Sequence, residues 1–225
     1  MADLEKVQDG SGIQYGKTQY WDERYSDDAA QFDWYLRWAG LAVIVQKHVR
    51  KNVEVLSVGC GNSRMGADMI DDGYKYVMCV DISLVVINQM VETYKESGLK
   101  GLKFMHGNAC SLEFADESFD VAIAKATMDV LMCGEGSTAN VFAMCHEVSR
   151  VLRPGGVFFI VSHEKNYTQY LDPEQANQEF GWKVTMDQIP KPVMNPKYPA
   201  KDDRGQPLYF YIYIMRKKHS EHSGG

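Results

Sequence analysis

The chain has 225 residues, 45% of them hydrophobic and 24% charged, with a formal net charge of −6. That length suits one α/β domain with a large core, and the acidic balance, relieved only by the short basic run Arg216-Lys217-Lys218, argues against nucleic acid and toward a basic protein partner. Five cysteines, odd in number and without a C-x-x-C pair, give no disulfide framework, and with no apolar leader and no run of eighteen apolar residues, neither export nor a membrane span is expected and a cytoplasmic protein is.

In chain order, residues 1–14 are polar and glycine-interrupted and are read as flexible. Residues 15–50 read as an aromatic segment, Tyr20-Trp-Asp-Glu-Arg-Tyr25 and Phe32-Asp-Trp-Tyr-Leu-Arg-Trp38, followed by a helix over 41–49. Apolar, β-branched runs predict strands over 53–58, 76–80, 102–104, 119–124 and 157–161. Ser83 can cap a helix whose Val86, Ile87, Met90, Val91 and Tyr94 recur at helical spacing, with Gly98 as its stop. A second helix is expected over 138–152, broken by Arg153-Pro154-Gly155-Gly156. Strand and helix alternate throughout, which predicts a mainly parallel sheet with helices on both faces. After residue 161 the grammar changes. Stretches 182–185 and 209–215 read as an antiparallel hairpin, and the connection between them carries five of the seven prolines. So long a connection either covers the substrate face or is disordered. Residues 216–225 are read as a tail, and the whole as a single domain.

The chemistry is carried by Val53-Glu-Val-Leu-Ser-Val-Gly-Cys-Gly-Asn-Ser63, answered by Tyr76-Val-Met-Cys-Val-Asp-Ile-Ser83. One strand ends in Gly59-Cys60-Gly61 and the next in an acid, Asp81, which places a ligand across the carboxyl ends of two parallel strands. Without Cβ atoms, Gly59 and Gly61 allow close backbone approach, and Asp81 stands where a ribose diol would be gripped. A dinucleotide fingerprint would need a third glycine at position 64, which is Arg64, and no Gly-Lys-Ser/Thr makes a phosphate loop. The remaining reading is a nucleoside cofactor without phosphates, as S-adenosylmethionine is. Ile82 would pack on its adenine or ribose, or be simple core. Asn108 and Ala109 are expected around the adenine, with an ordinary turn asparagine as the alternative.

The blocks Gly59-Cys-Gly-Asn-Ser63, Asp81-Ile-Ser83, Ser118-Phe-Asp-Val121 and Val151-Leu-Arg-Pro-Gly-Gly156, closed by a late hairpin, resemble the class I S-adenosylmethionine-dependent methyltransferases. That resemblance implies a Rossmann-like, doubly wound α/β fold with a seven-stranded, mainly parallel sheet and a C-terminal antiparallel hairpin. Tyr20-Trp-Asp-Glu-Arg-Tyr25, Phe32-Asp-Trp34, Asn62-Ser63 and Lys125-Ala-Thr-Met-Asp129 resemble a narrower group, the eukaryotic enzymes that methylate lysines of elongation factor 1A. Two departures stand out. Those relatives have an acid where this chain has Ala124, and glycine at Ala126, both on the side from which substrate would enter. Asn108 also replaces a common aspartate.

The resemblance implies further roles. Lys125 would line the methionine end, against the alternative of a solvated lysine. Trp21, Tyr25 and Trp34 would close over the sulfonium, held by cation–π attraction, where the alternative is an aromatic core. Asp129 would receive a substrate ammonium or else cap a helix. His106, His146 and His163 have no ligand-like spacing, and no metal is expected. Asn195-Pro196-Lys197-Tyr198 is similar to a signature that belongs directly after the fourth strand, so Asn195 reads as a loop residue. No general base can be named, Asp129 and a tyrosine being the possibilities. The function so implied is lysine methylation of an elongation factor 1A-like protein; a small-molecule methyltransferase and a silent binding module are the alternatives.

Overall fold

The computed structural model describes residues 15–192, 200–201 and 204–219. The expectations for residues 1–14, for Asn195-Pro196-Lys197-Tyr198 and for residues 193–199 and 202–203 of the proline-rich connection lie outside the described residues.

Seven strands form one sheet in the order β3-β2-β1-β4-β5-β7-β6. They are β1 (Glu54–Val58), β2 (Tyr76–Asp81), β3 (Leu102–His106), β4 (Phe119–Lys125), β5 (Leu152–Ser162), β6 (Trp182–Pro190) and β7 (Tyr209–Lys217). The first five run parallel, while β7 is antiparallel to both β5 and β6. Strand order reverses between β1 and β4, whose neighbouring carboxyl ends open the crevice where ligands bind in such sheets. Register brings Val58 beside both Val80 and Ala124, so the turns after β1, β2 and β4 meet at one edge.

Period-two alternation gives the central strands two buried faces. On one face Val55, Val77, Val121 and Phe159 pack under four helices: α1 (Thr18–Asp27), α2 (Trp38–His48), α3 (Met65–Asp71) and α4 (Leu84–Tyr94). On the other Leu56, Ala122, Phe158 and Tyr213 pack under α5 (Thr127–Met132), α6 (Ser137–Val151) and the short α7 (Thr168–Leu171), which precedes α8 (Pro173–Ala176). Ser83 caps α4, its oxygen accepting from the Val86 N–H at 3.3 Å.

Several boundaries differ from the sequence reading. The Arg153-Pro154-Gly155-Gly156 stretch is not a break between elements but the opening of β5, which starts at Leu152 with a register shift against β4. Gly155 accommodates that irregularity at φ +79. β6 extends through Pro190, which an edge strand tolerates because its outer N–H positions need no partner. β7 continues through Arg216 and Lys217, assigned above to the tail, because Lys217 Nζ donates to the carbonyls of Ser149 at 2.7 Å and Leu152 at 2.6 Å.

Candidate active site

A cavity of about 950 Å³, counted with its open mouth, lies at the carboxyl ends of β1, β2 and β4. Trp21, Tyr25, Trp34, Gly59, Gly61, Asp81, Ile82, Asn108, Ala109 and Lys125 all lie on its wall; Asp129 does not.

The turn after β1 explains its glycines. Gly59 and Gly61 sit at φ +65 and +51, a backbone region that L side chains rarely adopt. The protein itself also crowds them. A Cβ on Gly59 would run into the Thr127 side chain, and one on Gly61 would lie 2.6 Å from the Tyr25 hydroxyl. Close approach of a ligand is thus one of three reasons for glycine here, a wider requirement than the sequence suggested.

Asp81 is 8% exposed at the end of β2. Its Oδ2 accepts from the Gly61 N–H at 2.8 Å and its Oδ1 from the Ser83 N–H at 2.9 Å. Burial pushes the carboxyl above its ordinary range, opposed by the N–H groups of Ser83, Gly61 and Ile82. Each oxygen has a second lone pair, so two acceptors stand side by side on the wall. That is the donor–acceptor complement of a vicinal diol, and it fits the ribose of a nucleoside.

Ile82 is half-buried on the same wall and outside both core clusters, which removes the simple-core alternative. Asn108 is exposed, and its Oδ1 accepts from the Cys110 N–H at 2.9 Å. The turn reading is therefore correct as far as it goes, and the side-chain amide keeps its two donors, which suit a ring nitrogen better than an exocyclic amine. Ala109 is half-buried beside it.

The opposite wall comes from the amino-terminal segment. Trp21 and Tyr25 are buried and stacked with ring centres 5.9 Å apart, belonging to the core cluster and lining the cavity at once. Trp21 Nε1 donates to the Tyr15 carbonyl at 2.7 Å. Gly16 lies against Gly134, where a Cβ would come within 2.7 Å of the Gly134 Cα, and the Tyr15–Thr18 strap also lines the cavity. This strap opens the 15–50 segment read from the sequence, although its residues form no motif of their own.

Lys125 is not a solvated strand-end lysine. Its side chain is 4% exposed, and Nζ donates at 3.0 Å to both Asp33 Oδ1 and the Trp34 carbonyl. Burial pulls the ammonium below its ordinary range, against the Asp33 carboxylate. Ser63 Oγ donates to the same Asp33 oxygen. The lysine thus pins the Phe32-Asp33-Trp34 segment, with half-buried Trp34, to the end of β4.

Asp129 caps nothing. It is 3% exposed, accepting from Ser162 Oγ at 2.6 Å and Tyr167 Oη at 3.2 Å, with His163 Nδ1 at 3.2 Å. The Ala124 departure also lies elsewhere than expected: Ala124 is fully buried in the core rather than at a substrate entrance, whereas Ala126 does line the cavity, at φ +65. Of the other histidines, His106 Nε2 lies 3.1 Å from the Ile82 carbonyl and His146 Nε2 lies 2.9 Å from Gln178 Oε1. Among the described residues no group of three or more His, Cys, Asp or Glu could hold a metal ion, and no helix is long and apolar enough to cross a membrane.

A sheet of this order, with a glycine turn after β1 and a buried acid ending β2, has the form of a nucleotide- or nucleoside-binding α/β fold. A family model described as a methyltransferase domain matches residues 49–208, and the chain belongs to that family. The eEF1A lysine and N-terminal methyltransferase of Bos taurus is 31% identical over 80% of this chain, which spans only 26% of that relative's length. The EEF1A lysine methyltransferase 4 of Mus musculus is 32% identical over 65% of this chain and 60% of its own. A solved SAM-dependent methyltransferase from Methanosarcina mazei superposes with a TM-score of 0.58 at 19% identity, covering 79% of this chain and 98% of the other, and shares the fold.

Proposed function

We propose that this chain binds S-adenosylmethionine in the β1–β2–β4 cavity and methylates a lysine of an elongation factor 1A-like protein. The observation that carries the cofactor is the buried Asp81 carboxylate, with both oxygens oriented by backbone N–H groups and each able to accept once more. When bound, the cofactor supplies a methyl group activated by the positive charge on sulfur.

The chain's own residues then have distinct tasks. Asp81 holds the ribose diol; Ile82, Asn108 and Ala109 bound the adenine; Gly59 and Gly61 bring main chain to the amino-acid portion. Trp21, Tyr25 and Trp34 turn polarizable faces toward a cation and exclude water. Lys125 keeps Trp34 in place through Asp33. The lysine acceptor rests on the names of the relatives, and the formal charge of −6 favours a basic protein over nucleic acid. Five free thiols suit a reducing, cytoplasmic setting.

The test is transfer of labelled methyl from S-adenosylmethionine to purified elongation factor 1A and to fractionated lysate, with the labelled residue mapped by mass spectrometry. Label on lysine is expected. Label confined to small molecules, or none, would refute the assignment.

A further inference from the structure

Beside the cavity lies a buried polar cluster that binding of a cofactor does not use. Asp129 Oδ1 is shared by Ser162, Tyr167 and His163, while its buried Oδ2 has no hydrogen-bond partner among the described residues. Tyr35 Oη stands 2.9 Å from His163 Nδ1, and Tyr35 itself is held at φ +62, which a bulky residue adopts only under constraint.

Three members of the cluster adjoin cavity-lining residues along the chain or across the sheet, though none lines the cavity itself. Asp129 shares α5 with Val130 and Leu131, which line the cavity. Tyr35 follows Trp34, and His163 lies two residues beyond Val161, the β5 partner of Lys125. Asp129 is sealed from solvent, but the His163 side chain is 42% exposed. A side chain coming from outside therefore meets His163 first.

We propose that this cluster receives the substrate amine, with Asp129 positioning His163 through Nδ1 and His163 accepting, at Nε2, the proton that the amine must lose. The inference rests on the lysine reading above. A lysine near its reference pKa of ~10.4 arrives as an ammonium and has no lone pair to offer. The ammonium gives one proton to Nε2, which releases it to solvent. The freed nitrogen lone pair forms the new N–C bond as the methyl–sulfur bond breaks, and that bond's electron pair stays on sulfur.

The surroundings suit the task. His163 faces Asp129 from α5, Tyr35 from the segment before α2, Lys191 beyond β6 and Glu164 on its own segment; the Asp129 hydrogen bond, outweighing burial and Lys191, raises its pKa above the ordinary value. Burial first, and Asp129 next, push the hydroxyls of Tyr35 and Tyr167 far up, so neither is a base at neutral pH; with the His163 proton on Nδ1, Tyr35 Oη accepts from it beside Asp129 and Nε2 is free.

The pH profile of kcat/KM for elongation factor 1A tests this. With His163 as acceptor, the productive pair is neutral imidazole and charged lysine. The rate then climbs as pH rises through the raised His163 pKa and stays level to ~10.4. His163→Gln, at an unchanged melting temperature, should lower kcat about 100-fold or more and replace the plateau by a rise that continues to the lysine's own pKa. Asp129→Asn should move the acid limb to lower pH. In the unliganded protein, NMR titration should show the His163 ring above its ordinary range and lowered by Asp129→Asn. A ring titration that ignores Asp129→Asn, or a His163→Gln enzyme that methylates lysine with the wild-type plateau, overturns the proposal and leaves the lysine reading standing. If no lysine is labelled by the wild type, the lysine reading fails and this proposal falls with it.

Discussion

Ala126 turns the chain from β4 into α5 at φ +65, ψ −7 with no side-chain cap, a conformation that costs an L residue about 1 kcal/mol. The related enzymes to which this stretch is similar carry glycine there. Ala126→Gly should therefore stabilise the fold slightly, the relief of strain being largely offset by the greater entropy of an unfolded glycine, for a net gain of at most about 0.5 kcal/mol. Urea unfolding measures it directly, and a loss of stability would mean that the methyl group packs better than its dihedral suggests. Asp81 offers a sharper case. Asp81→Asn keeps an acceptor for one backbone N–H but loses the charge and the second acceptor, so S-adenosylmethionine affinity should fall by at least ~1.5 kcal/mol, about tenfold or more. Calorimetry finding equal affinities would end the ribose assignment.

At the scale of elements, the amino-terminal wall is held to the sheet by a few long-range contacts. α1 is tied down by Ser83 Oγ donating to Asp22 at 2.6 Å and by Gln89 Nε2 donating to the Tyr25 carbonyl at 2.8 Å. The following segment hangs on the Lys125–Asp33 pair, whose side chains are 4% and 12% exposed. Removing one partner of a buried pair strands the other, at a cost of about 3 kcal/mol or more. Lys125→Met should thus speed hydrogen exchange over residues 30–36 and weaken cofactor binding, while β1 to β5 keep wild-type protection. In the intact protein, exchange across residues 15–38 should slow when cofactor is added, because ordering a lid has an entropy cost that the ligand offsets. Equal protection in both states would make these aromatics static packing.

That wall also shows where reading the sequence stops. β1, β2 and β4 announce themselves through β-branched runs, and the glycine turn and Asp81 through their spacing, since each signal lies within a few residues. α3 gives no such sign: it is seven residues long, contains Gly66 and has no side-chain cap. Lys125 finds Asp33 across 92 positions, and Asp129 finds Ser162 across 33 and Tyr167 across 38. Local periodicity has nothing to say about such pairs. The His163–Asp129 contact is hidden for the same reason: the two residues follow β5 and β4 and meet only because those strands are paired.

For the molecule as a whole, the relevant quantity is the field of an acidic protein, with a formal charge of −6 and a pI near 5.5. Summed charge of this kind attracts a basic macromolecule over distances comparable with the Debye length of ~8–10 Å near physiological salt, and the attraction weakens as salt shortens that length. The cofactor, by contrast, would in the proposed complex be held at short range by a buried carboxylate and an apolar wall, which salt screens little. Raising ionic strength from roughly 50 to 300 mM should therefore increase KM for a basic protein substrate several-fold, while the calorimetric Kd for S-adenosylmethionine changes by less than about twofold. Steady-state kinetics at a series of salt concentrations separates the two. A protein KM that stays flat across the series would show that recognition is confined to local contacts around the Asp129 cluster and the exposed Phe32 rim, and that the acidic surface takes no part in finding the substrate.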